Sequence, residues 1–392
     1  MTLHYEDGGL RLWHGSNKDI LPTFADATFD SIVTDPPYEL GFMGKGWDSS
    51  GIAYDVDVWR ECLRVLKPGG YLLAFGGSRT WHRIAVAIED AGFDVRDSIA
   101  WLYGSGFPKS MDVSAAIDRA AGVERKDVYD EREPVQSNSV LGKGLGVSVV
   151  ERRPVTDQAK AWAGWGTALK PAFEPIVVAR KPLTGTVAAN VLTHGTGALN
   201  IDATRVGDEV LAPVTRGADG NVTAERVGRW PANVVLDESQ AASLDAQSGV
   251  LTSGKLAAHH ARAPKEAGIL GAYGSREGER GYGDTGGASR FFPTFRYEAK
   301  APASERPEVD GTVHATVKPL ELMRWLVRLV TRPGGRVLDL FAGSGTTGEA
   351  ALLEGMEVDL IELEADHLPL ILARVRKPLQ PSMFGDWEEA IA

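Results

Sequence analysis

The chain has 392 residues, 43% of them hydrophobic and 24% charged, with a net charge of −11, an ordinary globular composition for one α/β core with insertions. Its single cysteine, Cys62, excludes an internal disulfide and a cysteine-based metal cluster, and the acidic balance excludes a uniformly basic nucleic-acid binder. No apolar run approaches bilayer length and no N-terminal signal pattern is visible, so no membrane partner is expected and an intracellular location is the default.

The chain opens on Leu10-Arg11-Leu12-Trp13-His14-Gly15, which suits an edge strand, and reaches an apolar run, Ser31-Ile32-Val33, that reads as a short buried strand. That strand delivers Thr34-Asp35-Pro36-Pro37-Tyr38. Two consecutive prolines fix φ and remove two amide donors, so the turn is stiff and its carbonyls are left for another partner. Residues 39–50 are rich in glycine and aromatics, as suits a mobile loop beside a site. Asp55 can cap a helix with Val56, Trp59, Leu63 and Leu66 on its apolar face, in which Cys62 reads as a packed side chain. Pro68-Gly69-Gly70 ends that helix. Tyr71–Phe75 forms a strand, a helix covers 80–91, and Val95–Trp101 forms a further strand. Strands alternating with helices predict a doubly wound, mostly parallel sheet.

Regularity then fades over residues 104–170, around one helical stretch at Val113–Ala121. Phe173–Arg180 resumes as a strand. Residues 183–290 are rich in Gly, Thr, Ala and Asn with weak periodicity, and so long an irregular stretch is normally functional or disordered. Charge is uneven here: 251–306 carry nine Lys/Arg against six Asp/Glu, which suits local phosphate binding as well as it suits a solvated loop. Pro319 starts a helix carrying Leu322, Leu326, Leu329 and Val330. After Pro333-Gly334-Gly335 come strand Val337–Phe341, a glycine loop, a helix to Glu354 with Gly355 at its C-cap, and strand Val358–Ile361 ending on Glu362. A last helix reaches Lys377, and the tail from Pro378 is expected to fray. Val65-Leu66-Lys67-Pro68-Gly69-Gly70-Tyr71 echoes Val330-Thr331-Arg332-Pro333-Gly334-Gly335-Arg336, as the two halves of one sheet would.

Two stretches carry chemistry. Asp35, a free carbonyl and Tyr38 on a rigid turn at a strand's C-terminal end could grip a planar amino group. Gly343-Ser344-Gly345-Thr346-Thr347-Gly348 matches G-x-G-x-x-G between a strand and a helix, and Glu362 ends the next strand. Glycines let the backbone approach a ligand, and the carboxylate can accept from a ribose's hydroxyls. A nicotinamide site shows the same plan, and a tight turn packed on the sheet is the bland alternative. The rival loop Gly76-Gly77-Ser78 lacks the spacing. Asp339, and the presence of an Asp-Pro-Pro-Tyr elsewhere, favour S-adenosylmethionine over a dinucleotide.

Together, Asp35-Pro36-Pro37-Tyr38, Phe341-Ala342-Gly343-Ser344-Gly345-Thr346 and His314-Ala315-Thr316-Val317-Lys318-Pro319 resemble motifs of the β-group amino-methylating DNA methyltransferases, which act on adenine N6 or cytosine N4. In the third motif Ala315 replaces the family's proline. The catalytic motif precedes the cofactor motif, the permuted order of that group, and the matching motifs cover about residues 30–103, 171–182 and 290–376.

The resemblance implies a circularly permuted, Rossmann-like methyltransferase fold with a large irregular insertion. Residues 1–182 would form the catalytic half, interrupted at about 104–170. Residues 183–290 would form a target-recognition region, and 291–392 the cofactor-binding half. It implies S-adenosyl-L-methionine as cofactor and no metal. Asp35 and the Pro36 carbonyl would accept the two hydrogens of an exocyclic amine, with Pro37 stiffening the turn and Tyr38 stacking on a flipped base. Phe341, Ala342, Gly343, Ser344, Gly345 and Thr346 would surround the cofactor, Glu362 would hold its ribose, and Thr316 with Lys318 would lie near its methionine end. Asp339 would either orient the loop or meet the cofactor. Trp101 would be either a base-pocket wall or a core aromatic. Arg262, Lys265, Arg276, Arg280 and Arg290 are candidate phosphate contacts.

The expected partner is double-stranded DNA, with a homodimer and a cognate restriction endonuclease as further partners the family admits, in the cytoplasm of a bacterial or phage-infected cell. Aspartate at the first motif position favours adenine-N6 over the alternative, cytosine-N4. A non-catalytic nucleic-acid-binding protein on the same fold and a nicotinamide oxidoreductase are the readings from other classes.

Overall fold

The computed structural model describes residues 2–40, 49–104, 106, 108, 110–125, 128–129, 150–211, 215–216, 221–222, 226–252, 265–268, 271–273, 284–295, 307–309, 311–314 and 316–376. It divides into two units, residues 1–104 with 173–392, and residues 105–172.

The larger unit is built on a ten-stranded sheet: β1 (Thr2–Asp7), β2 (Leu10–His14), β3 (Phe29–Thr34), β4 (Leu66–Phe75), β5 (Asp94–Leu102), β6 (Phe173–Arg180), β7 (Val234–Asp237), β8 (Thr294–Phe295), β9 (Arg336–Asp339) and β10 (Glu357–Glu362). The strands lie side by side as β1-β2-β10-β9-β3-β4-β6-β5-β7-β8. Neighbours run parallel except at β1/β2 and on both sides of β6. Among the described residues the α-helices of five residues or more are α1 (Val56–Val65), α2 (Trp81–Asp90), α3 (Val113–Ala120), α4 (Asp157–Ala161), α5 (Val187–His194), α6 (Glu238–Ser248), α7 (Leu320–Val330), α8 (Thr346–Leu353) and α9 (Leu368–Val375), of which α3 and α4 belong to the smaller unit.

Alternation along the central strands sends successive side chains to opposite faces. Ile32, Leu72 and Leu338 pack with α1 and α2, through Val58, Trp59, Cys62, Ile84 and Ile88. Val33, Leu73 and Val337 pack with α7, α8 and α9, through Leu322, Leu326, Ala350 and Ile371. Helices early in the chain thus cover one face and late ones the other, the doubly wound plan. Asp55 caps α1 by accepting from the Asp57 amide at 3.0 Å. The buried stripe of α1 is Val58, Trp59, Cys62 and Val65, with Val56 and Leu63 partly buried against the same cluster.

The two echoing Pro-Gly-Gly segments enter β4 and β9, the two neighbours of β3. Gly69 and Gly334 have φ of +78° and +71°, and Gly70 and Gly335 both pack against Asp30 of β3. A Cβ on Gly69 would lie 2.4 Å from Asn190 Nδ2, so this turn admits only glycine. Asp30 ties the two segments, accepting from Lys67 Nζ at 2.8 Å and from the Arg336 amide at 2.9 Å.

Residues 183–290 depart from the expectation of an irregular stretch. They supply β7, α5 and α6, and Asn190 of α5 donates to the Pro68 carbonyl at 2.9 Å. Val234–Asp237 is only four residues long, too short to show a period. The smaller unit holds α4 besides the expected α3. Its pin is Asp118, which accepts from Arg125 Nε at 2.7 Å, the Val155 and Thr156 amides at 3.0 Å each and Thr156 Oγ1 at 2.8 Å. The tail from Pro378 lies outside the described residues. Among the described residues no helix is long and apolar enough to cross a membrane.

Candidate active site

Strands β9 and β3 pair in parallel with Leu338 beside Ile32, and β10 pairs with β9 with Leu360 beside Asp339. Asp35, the turn 341–345 and Glu362 therefore leave three adjacent strands at the same C-terminal edge, where open α/β sheets bind ligands. Thr34 Oγ1 donates to Asp339 Oδ1 at 2.7 Å and fastens the two motifs directly.

Tyr38 is held from several sides. Thr80 Oγ1 donates to its carbonyl at 2.8 Å, and a Cβ on Gly77 would come within 3.1 Å of its ring. The Gly76-Gly77-Ser78 loop thus backs the tyrosine. The Tyr38 hydroxyl donates to Glu174 Oε2 at 2.8 Å. Lys318 Nζ donates to Asp35 Oδ2 at 2.6 Å and to the Tyr38 hydroxyl at 3.0 Å, and lies 3.3 Å from Glu174 Oε2. An ammonium has three hydrogens, and three oxygens face this one. Burial acts to lower the Lys318 pKa, but Asp35 and Glu174 outweigh it and raise it. Burial, then Asp35 and Glu174, push the Tyr38 phenol well above its ordinary value. The phenol stays neutral and the ammonium charged. Asp35 Oδ1 is buried and has no hydrogen-bond partner. A carboxylate with one oxygen bonded to an ammonium and the other buried without a partner offers that second oxygen as an acceptor.

On the cofactor side, Gly343 and Gly345 take φ of +55° and +79°. A Cβ on Gly345 would meet Ile371 at 3.0 Å, and one on Gly348 would meet Leu360 at 2.7 Å. Glu362 Oε2 accepts from the Gly343 amide at 2.7 Å and Oε1 from the Glu364 amide at 2.9 Å, with His367 Nδ1 at 3.3 Å. His314 packs edge-on against the His367 ring, 4.7 Å between centroids, and lies against Gly343. Ser344 and Thr346 are buried, with their hydroxyls 3.2 Å apart. The turn is a backbone cradle at the start of α8, braced by one carboxylate, and such a cradle fits a small polar cofactor.

Asp339 is 1% exposed and accepts from the Phe341 amide at 3.1 Å as well as from Thr34. Burial pushes its carboxyl up from 3.8 to about 6, against the hydrogen bonds from Thr347, Thr34 and Phe341 that favour the charged form. The folded protein therefore holds this proton more tightly than the unfolded chain. The contribution to stability is full below about pH 4 and is lost as pH rises through about 6. Comparing unfolding at pH 4 and pH 7, Asp339→Asn should remove about 2–3 kcal/mol of the wild-type pH dependence. Identical pH dependence in both proteins would contradict this.

A family model described as DNA methylase, covering N6 and N4 amino-methylating enzymes, matches residues 29–373. The chain belongs to the N6/N4 DNA methylase family. Among its relatives, the type II methyltransferase M.HindIII of Haemophilus influenzae is 30% identical over 149 residues, 37% of this chain and 38% of that protein. This chain thus spans well under half the length of that relative. The type II methyltransferase M2.LlaDCHI of Lactococcus lactis subsp. cremoris is 24% identical over 251 residues, 58% of this chain and 84% of that one. Among solved structures, the PvuII DNA methyltransferase (cytosine-N4-specific) is 13% identical, covers 96% of this chain and 90% of its own, and gives a TM-score of 0.46.

In this member of the N6/N4 methylase family, Asp35, Pro36, Pro37 and Tyr38 gather with residues 341–346 and Glu362 at one edge. Lys318 differs from the expectation. It sits on Asp35 and Tyr38, with Glu174 as the third oxygen facing its ammonium. Thr316 is exposed, and its carbonyl bonds the His314 ring. Asp339 bonds the Phe341 amide at the start of the loop and the Thr34 hydroxyl. Trp101 is 4% exposed within the core, the aromatic-packing alternative. Arg290 donates to Asp284 at 2.7 Å and to the Gly286 and Gly287 carbonyls, so its guanidinium is spent inside the fold instead of on phosphate. The side chains of Arg262, Lys265, Arg276 and Arg280 lie outside the described residues. Sequence reasoning missed Glu174. Its one signal was a lone carboxylate opening an otherwise apolar strand.

Proposed function

We propose that this chain is a site-specific DNA adenine-N6 methyltransferase that uses S-adenosylmethionine and acts on a base turned out of the duplex. The observation that carries the reading is the idle, buried Asp35 Oδ1 beside the glycine turn of the neighbouring strand. An exocyclic amine is a poor nucleophile because its lone pair is delocalised into the ring. Asp35 Oδ1 and the Pro36 carbonyl would each accept one of its hydrogens and localise that lone pair. Lys318 engages Asp35 Oδ2 and so leaves Oδ1 as the acceptor. Tyr38 offers a fixed ring for stacking on a base turned out of the duplex. When bound, S-adenosylmethionine supplies an electrophilic methyl group. The residues that would hold it are Phe341 to Thr346 and Glu362. Asp35 would then take up the proton released from the methylated nitrogen and pass it to solvent. Adenine is favoured by aspartate, not serine, at position 35. Target reading would fall to the parts of 183–290 outside β7, α5 and α6.

The test is modification-aware sequencing of DNA from cells expressing the protein beside an Asp35→Ala control. Methyladenine at a defined sequence in the first and none in the second is expected. N4-methylcytosine would shift the assignment to the cytosine enzymes, and no mark in either would overturn the reading.

A second outcome concerns the cofactor. Because Glu362 also braces the Gly343 amide, Glu362→Ala should weaken S-adenosylmethionine binding by about 2 kcal/mol, the scale of a lost charged hydrogen bond, measured by calorimetry. Glu362→Gln, which keeps an acceptor, should lose less. Unchanged affinity in both would remove Glu362 from the site.

A further inference from the structure

We infer that Glu174 is a positioning residue for the methyl acceptor, acting through Tyr38 and Lys318 to hold the stacking ring and to keep Asp35 Oδ1 open for the amino group. This rests on the methyl-transfer reading above.

Glu174 stands at the start of β6, beside Trp101 of β5. Because β6 runs antiparallel to β4, with Ile176 beside Phe75, its beginning lies at the edge where β4 ends, within reach of Tyr38. The Tyr38 hydroxyl gives its one hydrogen to Glu174 and accepts from Lys318, so the ring is pinned at its tip as well as at its backbone carbonyl. Lys318 divides its three hydrogens among Asp35, Tyr38 and Glu174. Without Glu174 one hydrogen is released, and the ammonium can swing toward Asp35 Oδ1, the oxygen the amine needs. Two carboxylates against one ammonium also leave the cluster one negative charge in excess. That excess complements the positive charge gathering on an amine as it is alkylated.

The experiment compares single-turnover methylation of one duplex by wild type, E174A, E174Q, Y38F and the E174A/Y38F double variant. S-adenosylmethionine affinity is measured for each, and the fluorescence of a 2-aminopurine at the target position reports stacking. E174A should slow methyl transfer by about tenfold to a hundredfold, the scale of a small misplacement of a reacting group, with cofactor affinity unchanged and the 2-aminopurine signal altered as in Y38F. E174Q, whose amide oxygen still accepts from Tyr38, should lose less and carries the test if E174A does not fold. The double variant should be no slower than the slower single variant. A wild-type rate in E174A or, where that variant does not fold, in E174Q overturns the inference. So does an unaltered 2-aminopurine signal, or losses that multiply in the double variant. A wild-type protein that methylates no duplex overturns the underlying reaction, and that failure shows in the wild type alone.

Discussion

Asp35→Ala should lower the single-turnover rate of methyl transfer by about two to three orders of magnitude, as removal of one preorganised polar group from a reacting centre does elsewhere. The variant loses the idle Oδ1 and with it the proposed acceptor for the amine's hydrogen. S-adenosylmethionine affinity should change little, because the cradle at Gly343 and Gly345 is braced by Glu362 and not by Asp35. Asp35→Asn separates charge from shape. Its amide fits the same space, but one end must present hydrogens either to Lys318 or to the incoming amine, and both arrangements are repulsive. A loss close to that of alanine is expected. A fall of less than tenfold in both variants, with rates measured at saturating cofactor and DNA, would show that this carboxylate is not the acceptor.

The second large effect is on stability. Lys318→Met retains a long apolar stem against the Phe75 ring, over which the ammonium now lies at 4.8 Å, but removes the one cation shared by Asp35 and Glu174. Deleting one partner of a fully buried ion pair typically costs about 3–5 kcal/mol, and this cluster, whose carboxylates are partly exposed, should cost less than that. Two carboxylates then face each other across the Tyr38 hydroxyl. Their repulsion should be relieved at lower pH, so part of the lost stability should return at pH 5. Glu174→Gln added to Lys318→Met should recover part of the loss at neutral pH for the same reason. Urea unfolding at pH 5 and pH 8 reads both effects. A Lys318→Met variant as stable as wild type at pH 8 would mean that the cluster is far better solvated than the burial of the ammonium indicates.

The two variants also separate the roles of the cluster's members. Asp35 touches the reacting amine in the proposed reaction, whereas Lys318 fixes which oxygen of Asp35 is free. Loss of Lys318 should therefore depress both stability and rate. Loss of Asp35 should depress the rate with a smaller effect on stability, since Glu174 remains to pair the ammonium.

What could be read from the residues alone was whatever is settled within a few positions along the chain. The stiff Asp-Pro-Pro turn after an apolar strand, the glycine turn with positive φ, the Asp55 cap and the alternation that buries β3, β4 and β9 are local, because sterics, capping and burial act over one turn or one strand. The order of the catalytic and cofactor motifs also lay in the sequence, and it gave the permuted, doubly wound plan. Tertiary structure decided what depends on contacts between distant segments. Asp35, Tyr38, Glu174 and Lys318 come from three separate stretches of chain, and no spacing relates them until β6 enters antiparallel between β4 and β5. That strand direction brings Glu174 to the edge where Asp35 lies, where Lys318, expected near a cofactor, pairs with both carboxylates. A four-residue strand such as β7 is likewise placed by the open edge of β5, not by its own pattern. Strand order is chosen by hydrogen-bond partners and shared burial across hundreds of residues, which local propensity does not encode.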